Sequence, residues 1–260
     1  MQVVQDKSYC AKRSVLALGM FDGVHIGHRV LIQRGAALAR QKGVPLIVCT
    51  FATHPLQLVA PEKCPPLLCT FEQRNRLMEA LGVDVLCAMP FTQEMMKLPA
   101  ADYVGGLVQR FHPTDVVCGY NHTFGREGKG TPALLSALGE ALGFVTSVVP
   151  RITLEGADVS STAIRGLLAD GDADLAARML GRPYSLDATA HADGHTLTLD
   201  MQGRQRLADG AYRVRCSDAN HAYPTVADLR GDEVRLSLPD ACRLEGGVTL
   251  EWLCGASLSF

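Results

Sequence analysis

The sequence of 260 residues has no long apolar run and no strong excess of charge of either sign. No stretch approaches the roughly 18 apolar residues that a membrane-spanning helix needs. The first ten residues lack an apolar segment behind a basic start, so we expect no secretory signal and a cytoplasmic protein. A formal net charge of −2 gives no sign of a general nucleic-acid surface. We therefore expect neither a membrane nor a nucleic acid among the partners.

Paired cysteine motifs are also missing. The chain has nine cysteines, an odd number, and none of them forms a CxxC pair. Cys49, Cys87 and Cys118 lie inside apolar, strand-like runs. This placement favours buried free thiols in a reducing compartment over disulfides or structural zinc.

An ordinary globular composition, with 47% hydrophobic and 20% charged residues, is enough to form a core. Predicted strands and helices alternate along the first 185 residues. The strands are Ser14–Met20, Pro45–Phe51, Val83–Phe91, Thr114–Tyr120 and Phe144–Pro150. The helices are Gly27–Lys42, Thr70–Leu81, Pro99–Phe111, Thr131–Leu142, Ser160–Ala169 and Asp172–Leu180. This alternation predicts right-handed βαβ units, so we expect an α/β fold with a doubly wound, five-stranded parallel sheet of Rossmann-like type.

After Tyr184 the helical periodicity ends and short alternating segments follow. The predicted strands are Thr196–Asp200, Tyr212–Cys216, Glu233–Leu238 and Thr249–Leu253. Gly and Asp turns between them are typical of an all-β domain. We therefore predict two domains, residues 1–185 and residues 186–260.

Polar clusters follow predicted strands one, two, four and five, at the carboxyl edge where doubly wound sheets bind ligands. The first cluster runs from Gly19 to His28. His25 and His28 are three residues apart, so we expect them on one face of an exposed helix start, where free N–H groups and the helix dipole suit phosphate. An HxxH pair without further ligands nearby is a poor metal site.

The other clusters are less specific when each is taken alone. His54, before a proline at a strand end, is more often a loop residue than a site residue. The glycine-rich loop from Gly119 to Gly130 is either a phosphate or base cradle, with Asn121 fixing a polar group, or a surface loop. In the run Ser160–Arg165 the hydroxyls suit a helix cap, and the Arg165 guanidinium, one turn in, matches phosphate oxygens.

Five sequence strings together resemble a known family. The strings are GMFDGVHIGH, TFATHP, CGYNHTFGREGKG, VSSTAIRGLLADGD and MLGRPY, in this order from about Ser14 to Tyr184. The HxGH and SSTxIR motifs resemble the HxGH nucleotidyltransferase superfamily. Within it, the chain is similar to the N-terminal domain of the bacterial bifunctional riboflavin kinase/FMN adenylyltransferases, or FAD synthetases.

The resemblance implies that AMP is transferred from ATP to FMN, giving FAD and pyrophosphate, with Mg2+ on the phosphates and no covalent intermediate. It implies catalytic roles for His25, His28 and Arg165. The ATP-binding residues that it implies are Gly19, Phe21, Gly23, Gly27, Ser160, Ser161 and Thr162. His54, Asn121 and Phe124 would face FMN or organise the loop beside it. The direct metal ligands and the oligomeric state stay open.

Two kinds of departure from the family stand out. Thr53-His54-Pro55 replaces a frequent Pro-His-Pro, and Asn121-His122-Thr123 replaces a segment that often carries an acid and a base. The C-terminal region resembles a truncated riboflavin kinase barrel and lacks its Gly-x-Pro-Thr-Ala-Asn signature. We therefore expect no riboflavin kinase activity. The alternatives are a bifunctional enzyme with a divergent kinase site, a transferase with another acceptor phosphate, and a non-catalytic flavin- or nucleotide-binding regulator.

Overall fold

The computed structural model describes residues 1–6, 8–239 and 241–257. The chain divides into two compact units. The first contains Met1–Pro65 and Phe71–Ile152, and the second contains Pro66–Thr70 and the described residues from Thr153 onward. Among the described residues, no helix combines the length and the apolarity needed to cross a bilayer.

The first unit is built on a parallel sheet of six strands. They are β1 (Gln2–Val4), β2 (Ser14–Leu18), β3 (Leu46–Phe51), β4 (Val85–Met89), β5 (Pro113–Gly119) and β6 (Val145–Val149). Their order across the sheet is β1-β4-β3-β2-β5-β6. The five predicted strands are confirmed and the predicted number is corrected to six. The added strand, β1, is a three-residue edge strand, too short to give a periodic signal.

Helices cover both faces of this sheet. They are α1 (Ile26–Lys42), α2 (Leu56–Val59), α3 (Phe71–Ala80), α4 (Gln93–Lys97), α5 (Ala100–Phe111) and α6 (Pro132–Leu142). Alternate residues of each central strand enter different cores: Val15 packs with residues of α1 and α3, and Leu16 with residues of α5 and α6. The doubly wound α/β fold is thereby confirmed.

The buried central strands carry the three cysteines discussed above. Cys49 of β3, Cys87 of β4 and Cys118 of β5 are at most 8% exposed, as expected from their apolar surroundings. Leu18 of β2 is in register with both Cys49 and Cys118, so the carboxyl ends of β2, β3 and β5 are neighbours. The loops after these strands therefore leave the same edge of the sheet.

The second unit contains a closed antiparallel barrel. Its strands are β9 (Tyr184–Ala190), β10 (Thr196–Asp200), β11 (Gly210–Ser217), β12 (Ala222–Arg230), β13 (Glu233–Leu236) and β14 (Gly247–Ser257), and their order is β10-β13-β12-β11-β14-β9. A hairpin, β7 (Thr153–Leu154) and β8 (Ala157–Asp158), comes before it. The small all-β domain is confirmed, and β9 and β12 are added to the four predicted strands.

Two helices, α7 (Ser161–Ala169) and α8 (Ala173–Leu180), share a core with the barrel. Ile164 and Leu180 lie in the same buried cluster as Trp252 and Tyr184 of the barrel strands. These helices therefore belong to the second compact unit, although the sequence grouped them with residues 1–185. The domain boundary at residue 185, which falls inside β9, stays a prediction.

Candidate active site

The loop between β2 and α1 has an uncommon backbone. Phe21 and Val24 have positive φ angles of 55° and 42°, and Gly23 between them has a φ of 77°. Such angles strain residues that carry a Cβ, above all a β-branched one such as Val24. Phe21 and Val24 are fully buried, and the Phe21 ring lies against Gly19, where a Cβ would come within 3.0 Å of the Phe21 Cζ atom. Packing therefore holds the loop in one shape.

His25 and His28 come together where this loop enters α1. His25 is the residue before the helix, and its Nδ1 atom accepts a hydrogen bond from the His28 backbone N–H at 3.2 Å. The two imidazoles are stacked, with centroids 3.6 Å apart and planes 15° apart. Gly27 leaves room for this arrangement, because a Cβ there would lie 3.2 Å from the His25 Cε1 and Nδ1 atoms. The predicted shared face is confirmed, with His25 as the cap and not inside the helix.

His28 is half-buried, which corrects the expected exposed position. Its Nδ1 atom is buried and has no hydrogen-bond partner among the described residues. The Phe21 ring meets the His28 ring edge-on, with centroids 5.2 Å apart. Burial, helped by the neighbouring His25, holds the pKa of His28 well below its ordinary value. At neutral pH this imidazole is therefore neutral, with one nitrogen that donates and one that accepts.

The loop after β3 begins at Ala52 and contains His54. His54 is half-buried, and its Nδ1 atom accepts the backbone N–H of Leu56 at 3.2 Å. This bond closes a turn over two residues, as an Asx side chain does, just before the short helix α2. The structure therefore gives His54 a local role in shaping its loop.

Arg74 of α3 was missed by the sequence analysis. Its side chain is buried, with 5% exposure, and its guanidinium donates to the backbone carbonyls of Met20 at 3.2 Å and Phe51 at 2.9 Å. The Met20 carbonyl lies in the loop after β2, and the Phe51 carbonyl is at the end of β3, next to the loop that follows it. The detectable signal was a cation on the apolar face of a predicted helix, four residues before the buried Met78.

The loop after β5 separates the two residues assigned to it. Asn121 is exposed, whereas Phe124 is 6% exposed and packs near Tyr103, with ring centroids 5.8 Å apart. Gly130 lies under the Phe124 ring, where a Cβ would come within 2.5 Å of Cδ2. This burial favours the second role expected for Phe124, the organisation of the loop.

His122 lies between these two residues, in the Asn121–Thr123 segment where family members often carry an acidic and a basic residue. Its ring is stacked on Phe124 at a centroid distance of 5.7 Å, and its Nε2 atom is buried with no partner among the described residues. Burial lowers the pKa of His122 from 6.5 to about 4. The imidazole is therefore neutral at physiological pH and behaves as a packing group.

The remaining predicted residues lie in the second unit. The Ser160 hydroxyl caps α7 by accepting the backbone N–H of Ala163 at 3.1 Å, as its sequence pattern indicated. Ser161 and Thr162 form the first turn of that helix. Arg165, one turn further on, donates from Nε to the Pro66 carbonyl at 2.6 Å. This bond fixes the Nε side of the Arg165 guanidinium.

Metal ligands do not cluster in the described part of the chain. No group of three or more His, Cys, Asp or Glu side chains there is placed to hold an ion. Mg2+ commonly keeps several waters and binds through substrate phosphates with one or two carboxylates, so it does not need such a cage.

A family model described as FAD synthetase matches residues 7–163. The chain belongs to the FAD synthetase family. The predicted resemblance and the predicted nucleotidyltransferase class are thereby confirmed. The match begins before β2 and ends inside α7, so it covers the HIGH motif and the first four residues of the SSTxIR motif, and it stops before Arg165.

Curated relatives include three proteins named bifunctional riboflavin kinase/FMN adenylyltransferase, each 32% identical to this chain. The Listeria monocytogenes protein aligns with 71% of this chain over 59% of its own length. The Bacillus subtilis protein aligns with 85% over 69% of its length, and the Escherichia coli K12 protein with 83% over 75%. This chain thus spans between about three fifths and three quarters of their lengths.

A solved crystal structure, named macrolide-efflux protein from Streptococcus pneumoniae, has the same fold. Its TM-score is 0.85 at 24% identity, covering 97% of this chain and 89% of the other. At this identity the likeness supports the architecture alone.

Proposed function

We propose that this protein transfers the AMP group of ATP to the phosphate of FMN, giving FAD and pyrophosphate. The observation that carries the proposal is the stacked His25–His28 pair at the start of α1, in a chain of the FAD synthetase family. Phosphate oxygens suit this position because the helix start offers free N–H groups and the positive end of its dipole. A neutral His28 adds a donor of the kind that stabilises charge growing on a phosphoryl group.

In the proposed reaction an oxygen of the FMN phosphate attacks the α-phosphorus of ATP. The bond between the α-phosphorus and the oxygen bridging to the β-phosphate breaks, and pyrophosphate leaves. His25 holds the ring of His28 by stacking, and His28 donates to the phosphate that gains charge. The chain thus acts by orientation and by electrostatic stabilisation and forms no covalent intermediate.

The other roles follow from the family resemblance and stay proposals. Gly19, Phe21, Gly23 and Gly27 shape the nucleotide loop, and Ser160, Ser161, Thr162 and Arg165 bind the phosphates of ATP. His54, Asn121 and Phe124 form or support the FMN side. Mg2+ enters as part of the substrate, magnesium-ATP, and the location is proposed to be cytoplasmic.

For the barrel we propose that riboflavin kinase activity is absent, because the Gly-x-Pro-Thr-Ala-Asn signature is missing from this sequence. A bifunctional enzyme is the second candidate. It is favoured by the closed barrel and by alignments with relatives named as bifunctional that extend over 83–85% of this chain.

One assay separates these functions. The purified full chain is incubated with magnesium-ATP and either FMN or riboflavin, and the flavins and pyrophosphate are quantified. We expect FAD and pyrophosphate from FMN, and no product from riboflavin. FMN formed from riboflavin would establish the bifunctional enzyme. FMN binding without pyrophosphate release would support a non-catalytic regulator and refute the proposal.

A variant pair assigns the activity to the histidine site. His28→Ala should lower FAD formation by roughly 100- to 1000-fold, as expected for loss of one transition-state donor. The control is His221→Ala, because His221 is an exposed residue of the turn between β11 and β12, where its side chain contacts Asp218 at 3.5 Å and the Tyr223 ring at a centroid distance of 5.8 Å. The control should keep wild-type turnover. Near-normal turnover in folded His28→Ala would remove His28 from the mechanism.

A further inference from the structure

The Arg74 guanidinium connects two loops of the candidate site through hydrogen bonds to their backbones. One terminal nitrogen, Nη1, donates to the Met20 carbonyl at 3.2 Å. The other, Nη2, donates to the carbonyls of Phe51 at 2.9 Å and Ala52 at 3.4 Å. Met20 comes directly before the left-handed Phe21, and Ala52 comes two residues before His54.

We propose that Arg74 is a positioning residue for the adenylyl transfer, an inference that rests on the proposed function. It sets the separation between the loop that leads to His25 and the loop that carries His54. Under the proposed roles these loops hold different substrates, so their separation governs how FMN meets the α-phosphorus of ATP. Misplacement by about 1 Å can lower a rate by roughly 100-fold even when the reacting groups are intact.

The guanidinium is suited to this task by its shape. Its planar fork presents several N–H donors in fixed directions, whereas a lysine ammonium is a point charge on a flexible stem. Arg74 also lies over the Phe71 ring, at 5.2 Å from its centroid, which fixes the plane of the fork. The Thr50 hydroxyl donates to the same Met20 carbonyl at 3.0 Å, so that carbonyl is held by two donors.

Arg110 provides a matched control within the same unit. It donates from Nε to the Tyr9 carbonyl at 2.8 Å, from Nη2 to the Asp6 carbonyl at 2.5 Å and from Nη1 to the Met89 sulfur at 3.4 Å, and it lies over the Phe111 ring. Both arginines therefore fix backbone carbonyls through a fork stacked on a phenylalanine. The segment held by Arg110 contains none of the predicted site residues.

The kinetic test compares Arg74→Lys with Arg110→Lys in the full chain, both checked for folding by thermal unfolding. We expect kcat for FAD formation to fall by about 10- to 100-fold in Arg74→Lys, with KM for ATP within about threefold, since the loss is one of alignment in the transition state. Arg110→Lys should keep wild-type kcat. Equal losses of kcat in the two folded variants would mean that Arg74 is merely structural.

Hydrogen exchange tests the loop positions without any activity. The Val24 amide is bonded to the Phe21 carbonyl in the first loop, and the Leu56 amide is bonded to the Nδ1 atom of His54 in the second. In Arg74→Lys both amides should exchange faster together, while amides of central strand β2 stay protected; in Arg110→Lys neither should change. No change, or a change in one loop only, would overturn the proposal. Hydrogen exchange can be measured even if the wild-type protein forms no FAD. The absence of FAD would refute the proposed function, while the exchange result would still show whether Arg74 holds both loops.

Discussion

Replacing His25 by asparagine should separate its structural role from its chemical one. His25 caps α1 through Nδ1, and its ring is stacked on His28 at 3.6 Å. Asparagine is among the best N-cap residues and can accept the same His28 N–H from its side-chain oxygen. Alanine cannot accept this hydrogen bond. Both variants therefore remove the imidazole ring, and only His25→Ala also removes the helix cap.

The expected magnitudes follow from these two contacts. Loss of an N-cap costs about 1 kcal/mol, and loss of an aromatic pair costs about 0.5–1.5 kcal/mol. His25→Ala should therefore lower the free energy of unfolding by about 2 kcal/mol, and His25→Asn by about 1 kcal/mol. For a chain of this size each kcal/mol corresponds to roughly 2–4 °C in Tm, so alanine should lower Tm by about 4–8 °C and asparagine by about half as much.

Activity should not follow stability in this pair. FAD formation should fall by roughly 100-fold or more in both variants, because neither places a ring against His28. Thermal unfolding and the flavin assay, run on the same preparations, give both quantities. If His25→Asn regained turnover along with Tm, His25 would be a cap and no more, and its assigned role in the reaction would be wrong.

Two further predictions concern the residues around this pair. Gly27→Ala places a Cβ 3.2 Å from the His25 ring, so FAD formation should fall at least about tenfold by displacement of that ring, while circular dichroism shows an intact fold. Gly43→Ala is not a suitable control because its φ is 63°; Gly105→Ala on α5, where a Cβ meets nothing within 4 Å, should leave turnover unchanged. The pKa of His122 is about 4 in the folded chain and ordinarily 6.5, so its neutral form stabilises the fold above pH 6.5, and that contribution is lost as pH falls toward 4. His122→Phe should therefore lose less of its urea midpoint between pH 7 and pH 5 than the wild type does, and an equal loss would contradict the assigned environment.

Long apolar runs made the sheet of the first unit predictable. The predicted strand Pro45–Phe51 differs from β3 by one residue, and the predicted helix Gly27–Lys42 differs from α1 by one residue. Gly43 ends that helix with a left-handed backbone, and Thr131 begins α6 with its hydroxyl bonded to the Leu134 amide at 3.2 Å. Terminal signals of this kind are local, so one sequence is enough to recognise them.

Elements that depend on distant partners were not predictable. β1 is three residues long and exists because it pairs with β4. β12 includes Pro224 and the charged residues Asp228 and Arg230, which obscure the alternation of apolar and polar residues expected of a strand. It nevertheless forms ladders with β11 and β13. Strands of this type are specified by neighbours in the barrel and not by their own composition.

The site was predictable in residue type and only partly in geometry. The spacing of His25 and His28 indicated a shared face, but the burial of His28 depends on the Phe21 ring, whose left-handed backbone has no sequence signal in a phenylalanine. Arg74 was hidden for a similar reason: the carbonyls that it holds are 22 to 54 residues away along the chain.

The path of the chain between the two compact units limits how this protein can be divided. Residues 66–70 belong to the second unit, although residues on both sides of them belong to the first. Leu67 donates to the Gly203 carbonyl and accepts from the Gln205 amide, each at 2.8 Å, and Arg204 donates to the Leu68 carbonyl. A gene fragment that stops at residue 152 would carry this segment without its hydrogen-bonding partners, and one that starts at residue 153 would lack the segment altogether. Separate expression of either half therefore needs a redesigned connection across residues 66–70. A premature stop codon that removed the barrel would likewise leave residues 66–70 without their hydrogen-bonding partners.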